Sequence, residues 1–302
     1  MRKILLASTA LVALTSVSAM AADVTISGGF NLIYQTDDNN EPTGGAGGTS
    51  ASTMSSETDV NIKFSNTSDS GITTTLNAGF DENSRTDDAS ATISGDFGSV
   101  MVASGNVAGQ EDDNFILSMD EAYNKAGEGT TGTTFDLGGD VGESIGYKLP
   151  SIVDGLTIAV QHTNETASES FGYGASYDAG IAKIAYARMA TNEEDYTSIN
   201  LSGSVAGVSF GYTKNTIEDD GTSEDEATNW GVSYTMDAIT LAYETGKAKN
   251  ESGDLDDYKQ IAVAYSVAPG ITTILTSSEV NEIATAGADD AEQMEIQLKL
   301  SF

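Results

Sequence analysis

The feature that most constrains this chain is an apolar side chain at every second position, a pattern that recurs from Val24 to Phe302. The first run extends from Val24 to Tyr34 and places Thr, Ser and Asn between its apolar residues. Successive side chains of a β-strand point to opposite faces, so this period predicts strands with one apolar and one polar face. The chain offers no convincing i, i+3, i+4 apolar stripe, and the pattern therefore predicts an all-β fold.

The alternation divides the chain into about sixteen strands. Clear and weaker runs together predict strands at 24–34, 60–64, 72–80, 88–95, 98–105, 145–149, 156–160, 171–177, 180–189, 199–205, 208–212, 230–234, 239–243, 261–265, 270–280 and 294–302.

The connections between these strands alternate in length without exception. Seven are short, namely 66–70, 96–97, 150–154, 178–179, 206, 236–237 and 266–269. Eight are long and polar, namely 36–56, 82–87, 106–141, 164–168, 190–194, 216–226, 247–255 and 281–290. An up-and-down antiparallel meander with all its long loops at one end is typical of a closed transmembrane β-barrel. Closure is required there because an open sheet edge would leave backbone groups unpaired in hydrocarbon.

The first residues read as an export signal. Met1-Arg2-Lys3 is basic, the residues to Val17 are mainly apolar, and Ala19-Met20-Ala21 forms a small-x-small cleavage pattern. We therefore expect residues 1–21 to be a signal peptide and residues 22–302 to form one barrel domain. A retained anchor helix is the less favoured alternative, because the period-two pattern begins at Val24.

Composition excludes several classes of protein. The chain has 13 Lys+Arg against 46 Asp+Glu, and a formal charge of −33 argues against nucleic-acid binding. It has no Cys, which excludes disulfides and thiolate metal sites. Beyond the N-terminus, no apolar run reaches the ~18 residues of a spanning helix.

The polar residues of each strand indicate which face looks inward. In the last run Glu292, Gln293, Glu295, Gln297 and Lys299 alternate with apolar residues, a charge density too costly for a dry core or a lipid face. These side chains suit a water-filled lumen, and the apolar face then meets lipid. Aromatic residues near the predicted strand ends would form two interfacial girdles, from Tyr34, Phe64, Phe80, Tyr177, Tyr212, Tyr234, Tyr243 and Tyr265.

Taken together, these residues resemble the general diffusion porins of Gram-negative outer membranes, most closely the alphaproteobacterial, Rhodobacter-like type. The similarity lies in Ser94–Val100, in Gly146–Pro150 followed by Asp154–Leu156, and in the C-terminal Lys299–Phe302. It implies a homotrimer of sixteen-stranded barrels in outer-membrane lipid, each with its third long loop folded into the lumen. The resemblance also implies that Phe302 is the signal read by the outer-membrane barrel assembly machinery.

The resemblance assigns the constriction to residues 106–141, the third and longest loop. Its acids are Glu111, Asp112, Asp113, Asp120, Glu121, Glu128, Asp136 and Asp140, and its single base is Lys125. The predicted lumen-facing bases are Lys63, Arg85, Lys148, Lys183 and Lys299. The crowded arginine cluster of the family is absent, so we expect a net-negative constriction that passes ions and small hydrophilic solutes passively and favours cations.

Several weaker motifs in the sequence have plainer explanations than a binding or catalytic site. The acidic loop segments 219–226 and 254–257 could bind Ca²⁺ through oxygen ligands, although simple solvation explains them better. The G-x-G-x-x-G of residues 127–132 follows no strand, and the G-x-S-x-G of 207–211 lies inside one. His162 is the only histidine, which leaves few routes to nucleophilic catalysis.

Three other functions stay open on the sequence. A substrate-selective outer-membrane channel would need an aromatic slide or a dense lumenal array, and Trp230 alone does not make one. A secreted acidic β-rich surface protein would not be expected to show regular loop alternation and a terminal Phe. An outer-membrane enzyme is the least favoured, and we expect no catalytic residues and no cofactor.

Overall fold

The computed structural model is one closed antiparallel β-barrel, and it confirms the all-β, sixteen-stranded prediction. It describes residues 23–39, 51–80, 89–104, 143–164, 169–191, 194–219, 224–250, 253–282 and 291–302. Among these residues, no helix is long and apolar enough to cross a membrane.

The strands follow the chain around the barrel, and each pairs with its neighbours in sequence. They are β1 (Asp23–Asn39), β2 (Ala51–Thr67), β3 (Thr73–Phe80), β4 (Ala89–Gly95), β5 (Gly98–Ser104), β6 (Glu143–Lys148), β7 (Leu156–Asn164), β8 (Glu169–Asp178), β9 (Ala182–Ala190), β10 (Glu194–Val205), β11 (Val208–Asp219), β12 (Glu224–Met236), β13 (Ile239–Asn250), β14 (Gly253–Ala268), β15 (Ile271–Glu282) and β16 (Ala291–Ser301).

The barrel closes where the first strand pairs with the last. β1 and β16 run antiparallel, with Phe30 opposite Leu300. The Gly28 N–H donates to the Phe302 carbonyl (3.1 Å) and the Phe302 N–H donates to the Gly28 carbonyl (3.0 Å). A Cβ on Gly28 would come within 2.9 Å of the Phe302 ring and would collide with the Asp59 carbonyl oxygen. Glycine is therefore required where this ring lies across the seam.

The two rims of the barrel differ in how the strands are joined. One rim, here called the turn side, carries the short connections and both ends of the described barrel; the opposite rim is the loop side. The tightest turns need left-handed backbone, with Ala206 at φ 51° and Asp237 at φ 53°. Two-residue turns of this kind match the right-handed twist of the paired strands.

Side-chain exposure is inverted relative to a water-soluble β-protein. Gln260 and Gln297 point to the barrel interior and are 2% and 1% exposed, whereas their neighbour Ile261 points outward and is 59% exposed. Polar residues thus line the interior while apolar residues cover the outside. This is the arrangement predicted from the polar face of the last strand.

The strands on the loop side are longer than the sequence pattern predicted. β11, for example, continues to Asp219 rather than ending at Tyr212, and β13 continues to Asn250 rather than ending at Tyr243. Parts of the predicted loops 36–56, 216–226 and 247–255 are accordingly strand. The prediction failed there because polar residues occupy the outward face as well, so the alternation of polarity stops while the strand continues.

Candidate channel lining

The interior wall is built from small polar side chains that bond across strands. The Asn77 amide donates to Ser90 Oγ (3.2 Å) and the Asn200 amide donates to Thr213 Oγ1 (3.0 Å). The lining is therefore a hydrogen-bonding surface rather than an apolar core.

Several interior acceptors are buried without a partner in the described part of the chain. They include Gln297 Oε1, Thr276 Oγ1 and Asn215 Oδ1, on three different strands. Buried polar groups in native proteins are almost always satisfied by protein or by water. Such acceptors suit an interior that holds water.

Four of the predicted lumen-facing bases lie on the interior face of described strands, close to the turn side. Lys63 is paired with Thr25 and Asn77, and Lys299 is paired with Asn31. Lys148 is paired with Ala159, which is 6% exposed, and Lys183 is paired with Ser202, which is 8% exposed. Arg85 lies outside the described residues.

The predicted acidic constriction also lies outside the described residues. This applies to the whole of 106–141 and to each of its eight predicted acids, Glu111, Asp112, Asp113, Asp120, Glu121, Glu128, Asp136 and Asp140. Their role stays a prediction.

The strands carry interior carboxylates that sequence reasoning did not single out as site residues. Glu57 is paired with Asn31 and Asp59 with Gly29, so both face inward from β2. Glu244 in β13 is 6% exposed and is paired with Gln260, while Glu295 in β16 is paired with Thr276. Glu57 and Asp59 lie an even number of positions before Lys63 in the same strand and therefore share its face. This spacing could have identified them from the sequence.

The predicted girdle aromatics all lie on the outward face. Tyr34, Tyr177, Tyr212, Tyr234 and Tyr265 are between 37% and 50% exposed. The outward registers of the others are Phe64 opposite Leu76, Phe80 opposite Val60, and Tyr243 opposite Ile261.

The position of two of these aromatics differs from the prediction. Tyr212 and Tyr243 are each the fifth residue of a twelve-residue strand rather than a strand end. Tyr243 lies 5.5 Å, centroid to centroid, from Trp230, the residue paired with Tyr212. These rings mark the loop-side limit of the apolar band on the outward face, and the strands continue beyond that limit.

On the loop side of these aromatic rings, which we call the aromatic line, charged residues replace apolar residues on the outward face. Lys214 and Lys249 both contact Glu226, at 2.6 Å and 3.1 Å. Two further pairings complete what we call the ionic belt, which comprises Arg188–Asp195 (2.7 Å), Lys259–Glu279 (3.0 Å) and the Lys214–Glu226–Lys249 cluster. Charges at this density indicate that the loop-side ends of these strands stand outside hydrocarbon.

The weaker motifs of the sequence do not lie in a catalytic arrangement within the described residues. The stretch Gly207–Gly211 begins in a turn and continues into β11, so it is no strand-to-helix elbow. His162 is exposed on the outward face of β7, with Nδ1 3.1 Å from the Ser170 carbonyl oxygen. Within the described ranges no cluster of three His, Cys, Asp or Glu could hold a metal, and calcium binding by 219–226 or 254–257 stays a prediction.

Sequence comparison finds a match to one family. The profile of the Gram-negative porins matches residues 7–282. No individual curated protein matches the sequence.

Several solved structures share this fold at low sequence identity. OmpF of Salmonella typhi, solved with daunomycin, has a TM-score of 0.73 at 11% identity and covers 94% of this chain and 100% of its own. A mutant of the Rh. blastica porin has a TM-score of 0.65 at 14% identity, covering 93% and 100%. OmpT of Vibrio cholerae has a TM-score of 0.63 at 11% identity, covering 95% and 99%. At these identities the likeness concerns the fold.

Proposed function

The chain belongs to the Gram-negative porin family, and from that premise we propose that its pore favours cations over anions. It is an outer-membrane channel through which ions and small hydrophilic solutes diffuse passively. A sixteen-stranded barrel is wide enough to keep an aqueous passage rather than a packed core. Gram-negative porins are channels rather than enzymes, and the polar interior wall serves permeation.

The observation that carries the cation preference is the sign of the charges in the middle of the lumen. Among described strand residues that face inward more than four positions from a turn, the charged side chains placed by the structure are carboxylates: Glu57, Asp59, Glu244 and Glu295. Fixed carboxylates in a narrow aqueous passage raise the local concentration of cations and repel anions.

The reversal potential in a potassium chloride gradient tests this proposal. The purified protein in a planar bilayer should give a reversal potential of the sign set by cations, and Glu244→Gln with Glu295→Gln should move it toward zero. Glu226→Gln with Glu279→Gln removes the same charge from the outward face and should leave it unchanged. An anion-selective wild type would contradict the proposal.

We also propose that the barrel is one subunit of a homotrimer. Strands β3, β4 and β5 contain 8, 7 and 7 residues and no charged residue at all. Charged residues are depleted at the core of protein interfaces, so an uncharged outward face suits burial against protein. Its small outward residues, such as Ala78 and Ala91, suit close contact with two further copies of the chain.

We also propose that the chain is exported through an N-terminal signal peptide and assembled through its C-terminal residue. Residues 1–21 have the form of a signal peptide, and the C-terminal Phe302 is the expected point of contact with the barrel assembly machinery. The hydrogen bonds of Phe302 to Gly28 support this role, because recognition of Phe302 would hold β16 where the barrel has to close. Phe302→Ala should lower the yield of folded barrels recovered from outer membranes, while Phe97→Ala, a turn-side control, should not.

A further inference from the structure

The described lumenal charges are sorted along the pore axis. The four inward lysines lie within four residues of a turn-side strand end: Lys63, Lys148, Lys183 and Lys299. The inward carboxylates of the proposed cation path begin farther in, with Glu244 and Glu295 at five and six residues from that rim. On β2, Asp59 and Glu57 are opposite Gly29 and Asn31, which pair with Ser301 and Lys299 of β16, so across the barrel seam these two carboxylates lie beside the innermost lysine.

This sorting corresponds to a real separation of charge. A strand rises about 3.3 Å per residue and a barrel strand tilts by about 40°, so each residue adds about 2.5 Å along the axis. The lysines thus lie within roughly 10 Å of the turn-side strand ends, and roughly 4 Å from them on average, whereas Glu244 and Glu295 lie roughly 12 to 15 Å from them. The average axial distance between the lysines and these two carboxylates is roughly 10 Å. It exceeds the Debye length of about 8 Å at physiological ionic strength, so the two groups of charges act on ions as distinct zones.

Acids on the turn side do not cancel the lysine zone. Three inward aspartates share it, namely Asp23 at the start of β1, Asp178, which is paired with Lys183, and Asp59 at its inner edge, so the described charges of this zone sum to 4 − 3 = +1. The turn aspartates Asp69, Asp96 and Asp154 are exposed at the rim in bulk water, as is Asp237. Their field falls off within about a Debye length.

We propose that this pore rectifies current, because an anion-attracting zone on the turn side is in series with a cation-attracting zone nearer the loop side. This inference rests on the proposed cation preference of the middle zone. When the loop side is positive, cations enter through the carboxylate zone and anions through the lysine zone, so ions accumulate and conductance rises. The opposite voltage draws both ions away from the junction and depletes it. Anionic solutes would likewise enter more readily from the turn side.

Current–voltage curves of single trimers in planar bilayers test the inference. In about 0.1 M potassium chloride, wild type should conduct roughly 1.5-fold more current at one polarity than at the equal opposite one. In about 1 M salt the ratio should approach one, since the Debye length falls to about 3 Å. The chain contains no cysteine, so Ser151→Cys in a turn and a charged thiol reagent added to one side establish the orientation.

A matched pair of variants assigns the effect to the lysine zone. Changing Lys63, Lys148, Lys183 and Lys299 to Gln should abolish rectification and strengthen cation preference. Changing Lys214, Lys247, Lys249 and Lys259 to Gln removes the same charge from the outward face and should leave rectification unchanged.

The possible failures are distinguishable. If the fourfold variant does not assemble, Lys148→Gln with Lys183→Gln should still remove about half of the excess of the current ratio over one, which brings it to roughly 1.25. Cation-selective channels with linear curves in dilute salt would overturn the inference and leave the proposed function standing. Anion-selective channels would overturn the proposed function first, and the inference with it.

Discussion

The short and tall walls of the barrel are made by the same alternation of residues, yet they face different surroundings. In the short wall, β3–β5, the described strand spans of 7 or 8 residues carry no charge on either face. In the tall wall, β10–β15, strands of 12 to 16 residues rise past an aromatic line into the ionic belt. The outward face of each wall, rather than its lumenal face, therefore indicates what that wall contacts.

The largest expected effect comes from crowding the short wall. Ala91 is outward and exposed in β4, and Ala91→Trp would block close approach of a second subunit. Overpacking a well-fitted contact costs about 1–3 kcal/mol at each interface, so trimers should dissociate. Unheated denaturing gels measure the trimer fraction.

The matched control lies on the lipid-facing part of the barrel. Ala175 is outward in β8, paired with Ile158 and Tyr186, and Ala175→Trp should leave trimers intact. Equal loss of trimers in both variants would mean that the short wall is not the interface.

A charge placed at two heights of the tall wall should have unequal costs. Leu241 is 52% exposed in the apolar band of β13, and Lys there is expected to cost about 2–4 kcal/mol of unfolding free energy. Lys247→Leu removes a charge above the aromatic line and should change stability by less than about 1 kcal/mol. Urea unfolding in lipid bilayers measures both. A Leu241→Lys variant as stable as wild type would place the band elsewhere.

The smallest effect concerns the ion pairs of the belt. Glu226 holds two lysines, and its side chain is 16% exposed. Glu226→Gln should cost about 1 kcal/mol in low salt, because exposed and half-exposed pairs contribute little. The difference from wild type should shrink in concentrated salt, which screens the pairs. Glu218→Gln on neighbouring β11 serves as the control, and an equal, salt-independent loss in both would argue against a specific role for the cluster.

Much of this architecture follows from the sequence. Alternation and turn residues such as Ala206-Gly207 and Asp237 predicted the number of strands, their pairing and their apolar outward face. The loop-side strand ends could not be predicted, because residues such as Lys214 and Lys249 are polar and outward. The polarity of neighbouring residues does not distinguish a strand that extends beyond the membrane from a loop.

The lining was predictable only in part. The inward parity of Lys63 and Lys299 follows from their strands, and the structure places both on the interior face. Their gathering at one rim, away from Glu244 and Glu295, depends on the height of each residue above the turns. That height becomes measurable only when strand bounds and registers are known together.

The outward face of the barrel meets lipid while the inward face meets a water-filled lumen. A nitroxide scan of Ile239–Lys247 in lipid bilayers tests it most directly, since the cysteine-free chain accepts single labels. Labels at 239, 241 and 243 should be relaxed by oxygen, and labels at 240, 242 and 244 by a water-soluble paramagnetic complex. At 247 the outward label should become accessible to the water-soluble complex as well. A scan without period two, or with the two accessibilities exchanged, would contradict the account.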